Sequence, residues 1–304
     1  MTTRIVVVGA GVAGYTAVES LRKSPIHQEI KIIWIAPEQK FIYKPFLFDV
    51  LSGYRKLSDC TFSLVNYCER FRIEFIDAEI TQTLAEENAL ILSTGARVNY
   101  EYLILATGED KLIPQHLQSQ FSLPTTTVQH VQRIISHVDE QFSLAQKQLS
   151  LLRKPFLSLV ITGHSIQSLE MLFALYNYTE LLRKKYDFRR NEVSISYITA
   201  EKQLGGDIPL KLSDMLEQYA KDHAIDIYMH QNIESIADAQ VQLNTKTIIE
   251  THTIIVEGNA QLNPAYKAGN IKADEFGGVK VNNYLQLEDF YNVYACGSIV
   301  NFYD

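Results

Sequence analysis

The 304 residues predict an α/β protein made of two units, each with parallel strands joined by crossover helices. Short β-branched runs alternate with helical patterns along most of the chain. A buried strand runs straight into a glycine turn and a helix at Gly9, and a similar arrangement returns at Gly163. Both halves then follow the order strand, glycine turn, helix, strand, antiparallel excursion, strand, which reads as a weak internal repeat of a nucleotide-binding unit.

Ile5 to Val8 is a continuous apolar strand, Gly9 to Gly14 a glycine turn, and Val12 to Lys23 a helix stopped by Ser24-Pro25. Ile30 to Ala36 is a second buried strand. The segment from Phe41 to Gly53 is apolar and aromatic with Lys44-Pro45 inside it, and reads as loop and short helix. Ile73 to Ile76, Ala78 to Leu84, Ala89 to Leu92 and Arg97 to Asn99 form the antiparallel excursion, and Tyr102 to Ala106 returns as a buried strand into Thr107-Gly108.

Pro114 to Pro124 lacks periodicity and reads as a connection. Val128 to Leu152 carries a long helical pattern, after which the rhythm restarts. Phe156 to Ile161 is a strand, Gly163 a turn, Ile166 to Lys184 a helix, and Val193 to Ile198 a strand. Leu210 to His223 is helical and Ile225 to Met229 extended. Ile233 to Val256 holds three or four short strands, and Val279 to Val281 and Asn292 to Ala295 close the chain.

Composition narrows the function. Apolar residues at 46% and charged residues at 21% fit a folded globular chain. With 28 Lys+Arg against 35 Asp+Glu, the net charge of −7 gives a nucleic-acid partner no support. Cys60, Cys68 and Cys296 lie outside metal-binding or redox-pair spacing, which fits a reducing compartment and supplies no metal site. The N-terminus lacks the features of a secretory signal, and no apolar run approaches a membrane span. A cytoplasmic protein without a transmembrane segment is the expectation.

Gly9, Gly11 and Gly14 fill the GxGxxG spacing directly after a strand and before a helix. The first glycine allows the tight turn, the second removes a side chain that would block a pyrophosphate, and the third lets helix and strand pack closely. Unpaired N–H groups at the helix start attract the phosphate charge, and Ala13 lies among them. An acid about twenty residues on should bond the adenosine ribose. Ala36 stands there, with Glu38 two residues later, so either Glu38 reaches back or the ribose is held without a carboxylate.

The motifs in order are GAGVAG, KFIYKPFLFDVLSG, YEYLILATG, ITGHSIQSLE and VYACGSI. This series resembles the two-dinucleotide-domain flavoproteins. The Phe41-x-Tyr43-x-Pro45-x-Leu47 stretch followed by Gly53 is most similar to the type II NADH dehydrogenases, with sulfide:quinone oxidoreductases and apoptosis-inducing-factor-like proteins nearby. The likeness spans nearly the whole chain and is specific in its first third.

The resemblance implies two Rossmann-like FAD- and NAD(P)-binding domains of the three-layer ββα type. The first, holding FAD, is discontinuous and covers 1–112 plus 264–304, while the NAD(P)H-binding-like domain covers 113–263. It implies FAD on Gly9, Gly11, Ala13 and Gly14, with Ala36, Glu38, Lys44, Pro45 and Ile80 as further contacts. Ala106, Thr107 and Gly108 would bend the returning strand beneath the cofactor. Where the family places Gly-Asp against the ribityl hydroxyls, this chain has Gly297-Ser298, which keeps a hydrogen bond and loses its charge.

The second turn departs further, because the family's three glycines correspond to Gly163, Ser165 and Ser168. A Cβ and hydroxyl at Ser165 would stand where the NADH pyrophosphate approaches. A working NAD(P)H site and an eroded structural copy both remain open, and His164 is either a phosphate contact or a surface histidine. Glu170 matches the glutamate near nicotinamide and flavin and is the catalytic candidate, or else an early-turn helix acid. Lys44 replaces the cysteine of thiol-dependent relatives and is the second catalytic candidate; it places charge near the flavin, pairs with Glu170, or is a surface lysine.

The aromatic residues Phe41, Tyr43, Phe46, Phe48 and Tyr54 could wall a flavin and a flat acceptor, or be core. The activity implied is electron transfer from NAD(P)H through flavin to a quinone-like acceptor. The alternative is an attenuated FAD-binding relative acting as an interaction or sensing module. A homodimer and peripheral contact with the inner face of a membrane are compatible with either. The sequence ends at Phe302-Tyr303-Asp304, where relatives continue into a membrane-facing domain, so a truncated chain is an expectation too.

Overall fold

The computed structural model describes residues 2–125, 127–261, 263–267, 269, 271–272 and 278–301, so the closing Phe302-Tyr303-Asp304 lies outside the described residues. In chain order, the main strands begin with β1 (Thr3–Val8), β2 (Ile30–Ala36), β3 (Glu74–Asp77) and β4 (Tyr102–Leu105). They continue with β5 (Ser122–Pro124), β6 (Ser158–Thr162), β7 (Ser194–Ile198), β8 (Ile225–Tyr228), β9 (Thr253–Val256) and β10 (Val293–Ala295). The longer helices are α1 (Val12–Lys23), α2 (Leu64–Phe71), α3 (Val128–Gln146), α4 (Ile166–Lys185) and α5 (Leu210–Asp222).

The chain forms two compact units. Met1–Lys44, Ser58–Asp110 and Ala260–Asp304 make the first, and Pro45–Leu57 and Lys111–Asn259 the second.

In the first unit five parallel strands stand in the order β10-β4-β1-β2-β3. Alternation along each strand sends side chains to opposite faces. Val6, Val8, Ile33, Ile35, Leu103 and Leu105 pack toward an antiparallel meander of Ile80–Leu84, Ala89–Leu92 and Arg97–Asn99. Val7, Ile32 and Trp34 pack with Val18 of α1 and with Leu64 and Cys68 of α2. Meander, sheet and helices therefore form three layers.

The second unit repeats the plan with parallel strands in the order β5-β9-β6-β7-β8. Val160, Ile198, Ile254 and Val256 face a second meander of Ile233–Ala237, Gln240–Leu243 and Ile248–Glu250.

Several local expectations shift. The helical pattern expected to reach Leu152 ends in α3 at Gln146, and a 3-10 turn at Ser150–Leu152 precedes a short helix at Lys154–Leu157. Leu149 and Leu151 are 76% and 92% exposed, so the residues past Ala145 have no apolar face left to bury. The strand expected from Phe156 starts at Ser158. Ser122–Pro124 hides a strand inside the expected connection, because three residues are too few to show periodicity and β9 supplies the ladder. The expected elements include no counterpart of helix α2, although Ser63 caps it by accepting from the Asn66 N–H at 3.2 Å.

Pro45–Leu57, expected within the first domain, groups with the second unit. Leu47 and Leu51, one helical turn apart, bury the same face of the helix Leu47–Leu51. Gly53 follows at φ +81° against Leu181 of α4, where an added Cβ would come within 2.8 Å of the leucine methyl.

Candidate functional site

The first glycine turn is built by close backbone approach. Val8 pairs with Ile35 of β2 and Leu105 of β4, so the three strand ends lie side by side. Gly9 leaves the sheet at φ +107°, and a Cβ there would meet the Ala106 carbonyl oxygen at 2.2 Å. A Cβ on Gly14 would meet the Gly9 carbonyl oxygen at 2.0 Å. That carbonyl also accepts from the Trp34 indole N–H at 2.8 Å, within a ring cluster that includes Tyr15, Phe41 and Tyr67.

Gly11 differs from its neighbours. It is the N-cap of α1, has an ordinary φ of −75°, makes no side-chain cap, and among the described residues has nothing within 4 Å of an added Cβ. The first N–H groups of α1, which begin here without a side-chain cap, carry positive partial charge. No packing demand excludes a side chain at Gly11, so the bareness of the position suits a ligand.

Other predicted residues gather around this turn. Gly297, at φ +85°, approaches Ala13 so closely that a Cβ would lie 2.8 Å from the alanine methyl. Gly108, at φ +75°, lies next to the exposed Ser298, whose hydroxyl would stand 3.7 Å from a Cβ added to the glycine. The Thr107 hydroxyl bonds the buried Tyr266 hydroxyl at 2.6 Å, fixing the bend after β4. Ala36 is buried at the end of β2, and Glu38 is exposed beyond it. Ile80 spends its side chain in the core, which leaves its backbone as the part able to meet a ligand.

The second turn has the same framework and a different content. Gly163 follows β6, Ser165 caps α4 by accepting from the Gln167 N–H at 3.1 Å, and Ser168 bonds the Tyr197 hydroxyl at 2.8 Å. Into this turn projects the carboxylate of Glu257, the residue immediately after β9. One oxygen accepts from the His164 and Ser165 backbone N–H groups at 3.0 and 3.1 Å. The other accepts from the Ser165 hydroxyl and from Lys111 Nζ at 3.0 Å. The Glu257 side chain is 3% exposed. Burial opposes its charge, but the Ser165 hydroxyl, the His164 N–H and Lys111 outweigh that penalty and hold its pKa down at about 2. Gly163 is obligatory, since a Cβ would stand 2.4 Å from Ser168 Cβ and 2.7 Å from a Glu257 oxygen.

Each of the two glycine turns thus opens a helix beneath a parallel sheet, and known proteins share that design. The signature of the pyridine nucleotide-disulphide oxidoreductases matches residues 3–303. The chain belongs to that family. FAD and NAD(P)H are the family's cofactors.

Sulfide-quinone reductase of Aquifex aeolicus is 26% identical over 270 residues, covering 87% of this chain and 57% of the relative. The chain therefore spans little more than half of that protein's length. Type II NADH:quinone oxidoreductase of Staphylococcus haemolyticus is 21% identical over 295 residues, covering 94% of this chain and 70% of the relative. In fold, the chain resembles NDH2 from Plasmodium falciparum in complex with NADH, with a TM-score of 0.86 at 16% identity, over 99% of this chain and 65% of that one.

In this family member, Lys44 is the last residue of its segment of the first unit and Pro45 opens the second unit's first segment; both are exposed. Glu170 lies in the first turns of α4, open to solvent, with its carboxyl pushed above the ordinary range by partial burial. Phe41 belongs to the aromatic core of the first unit, stacked on Phe62 at 4.8 Å, and so is no free wall for a ligand. His164 is half exposed, with Nδ1 3.7 Å from Glu257.

Cys60 and Cys68 are buried, and burial pushes the Cys68 thiol up to about 11 and the Cys296 thiol above its ordinary value. Neither Cys68 nor Cys296 is poised as a thiolate. Among the described residues no group of His, Cys, Asp or Glu could hold a metal, and no helix is long and apolar enough to cross a membrane.

Sequence reasoning missed Trp34, Lys111, Glu257 and Asp77. The last ends β3 in register with Ala36 and accepts from Gln39 at 2.8 Å, so it places a carboxylate beside the strand end where the ribose acid is expected. None of the four carries a motif, because each acts through a partner distant in sequence.

Proposed function

We propose that this protein is an FAD-dependent oxidoreductase that takes electrons from NAD(P)H and passes them to a quinone or similar small acceptor. The observation that carries the reading is the glycine turn of the first unit, where Gly11 begins α1 without a side-chain cap and no described atom lies within 4 Å of a Cβ built on it.

In this reading the backbone of Gly9, Gly11, Ala13 and Gly14 holds the FAD pyrophosphate. Glu38 or the Ala36 backbone meets the ribose, and the Ile80 backbone borders the adenine side. Ala106, Thr107 and Gly108 line the cofactor's underside, and Gly297 and Ser298 bond its ribityl chain. By the resemblance, Lys44 and Pro45 are assigned contacts with the flavin, and Glu170 the role of orienting the donor or moving a proton. Bound there, FAD supplies electron-transfer chemistry that no side chain offers. The quinone-type acceptor draws on the relatives' names, while contact with the inner, cytoplasmic face of a membrane is carried over from the resemblance to the type II NADH dehydrogenases.

In the second cradle NAD(P)H meets a competitor, because the Glu257 carboxylate holds the donors that a pyrophosphate needs. That observation favours a second reading, a family member with attenuated turnover that binds FAD and serves in interaction or sensing. Sulfide oxidation through a flavin-adjacent thiolate gains no support from the raised Cys296 thiol.

An absorption spectrum of the purified protein, before and after anaerobic mixing with NADH, tests the proposal. Flavin bands that bleach on mixing are expected. Flavin bands that never respond to NADH or NADPH would select the attenuated relative, and protein that takes up no FAD would end both readings.

A further inference from the structure

The two glycine turns differ: among the described residues nothing lies within 4 Å of a Cβ built on Gly11 in the first, whereas a carboxylate occupies the donors of the second. Gly163, His164 and Ser165 present two backbone N–H groups and a hydroxyl at the start of α4, the arrangement that receives a phosphate. Glu257 answers all three, and Lys111 adds a cation to the same carboxylate.

The placement follows from register. Thr162 of β6 pairs with Val256 of β9, so the residue after β9, Glu257, lies beside Gly163. Its N–H donates to the Thr162 carbonyl at 2.9 Å, which fixes the side chain's point of departure. The oxygens then reach the donors without leaving the unit's interior.

We infer that Glu257 is a built-in phosphate mimic that sets the affinity of the second unit, so that a dinucleotide enters only by displacing a carboxylate already bound to its pyrophosphate donors. The inference rests on the reading of this unit as the NAD(P)H side. Two anions cannot share the cradle, since like charges at contact distance repel and the donors are finite in number. A dinucleotide must break four hydrogen bonds, one of them an ion pair, before it forms its own. Removal of the carboxylate reverses the situation: the N–H groups, the Ser165 hydroxyl and the Lys111 ammonium are left facing a space of net positive character.

Calorimetric titration of the FAD-saturated full chain with ADP-ribose tests this, because that probe carries the pyrophosphate and cannot reduce a flavin. The wild-type protein is expected to bind with a dissociation constant above about 100 µM, and Glu257→Ala and Glu257→Gln at least about tenfold more tightly. Wild-type binding tighter than about 100 µM, or variants that bind no better than wild type, would overturn the inference. Should both variants fail to fold, the wild-type titration still decides on that threshold. Failure of the flavin reading is distinguishable, since it shows as missing flavin absorbance and leaves the effect of Glu257 substitution to be read by heat alone.

Discussion

Gly9, Gly11 and Gly14 share one turn, yet each faces a different neighbour. Gly9 and Gly14 are demanded by the fold, because a Cβ at either meets backbone oxygen at 2.2 or 2.0 Å. Gly11 has no described atom within 4 Å of an added Cβ. Gly14→Ala is therefore expected to destabilise the protein by about 3 kcal/mol or more, as overpacking against backbone does, while Gly11→Leu, compared with wild type with both proteins free of FAD, should lower the melting temperature by only a few degrees, the modest cost of leucine at an N-cap. The same Gly11→Leu protein should lose copurifying FAD by at least about tenfold, a steric loss of about 1.4 kcal/mol or more. Melting curves and the ratio of flavin to protein absorbance check both halves. A yellow Gly11→Leu protein would remove the first cradle from the proposal. Trp34, the chain's single tryptophan, hydrogen-bonds the Gly9 carbonyl and gives a fluorescence signal from the turn itself.

The long parallel strands and the helices after each glycine turn were legible because their periodicity is strong and the turn residues punctuate it. Helix α3 shows where such reading stops. Its start is marked chemically: the Thr127 hydroxyl accepts from the His130 N–H at 3.1 Å while the His130 ring accepts from the Thr127 N–H at 3.3 Å. Its end is set by packing, since the leucines past Gln146 find nothing to cover them. Thr127→Ala should lower stability by about 1 kcal/mol, the usual worth of a capping hydroxyl. A urea midpoint equal to wild type, at equal slope, would show that tertiary packing alone holds this helix start. Short strands such as Ser122–Pro124 left no trace in the sequence for the opposite reason, as their hydrogen bonds come wholly from a neighbour.

The two units carry different acid sensitivities. His130, His137 and His252 all lie in the second unit, and burial lowers the pKa of each. The folded unit favours neutral rings, so protonation of the unfolded chain draws stability down as pH falls below about 6.5. Carboxylates act lower. Burial opposes ionisation of Glu19 in the first unit, but Tyr67, Arg22 and Lys23 outweigh it and hold the pKa near 2, as the Ser165 cradle does for Glu257 in the second. Their contribution is complete above about 4.5 and lost as pH drops toward 2. Between pH 7 and 5 the far-UV melting transition should fall by a few degrees, while the Trp34 transition of the first unit holds. A Trp34 transition that falls first would contradict this assignment of acid sensitivity.

Residue order along the chain was enough for the family, the α/β class and the glycine turn between β1 and α1, because those depend on local features: a strand, three glycines at fixed spacing and a helix. It also exposed the serines at 165 and 168. The content of the second cradle needed the folded arrangement. Glu257 lies 92 residues from Ser165 and reaches it only because β6 and β9 are neighbours in register. The same holds for Trp34 against Gly9, for Thr107 against Tyr266, and for the assignment of Pro45–Leu57 to the second unit. Periodicity reports which face of an element is buried; it carries no record of which distant carboxylate or indole will complete the turn.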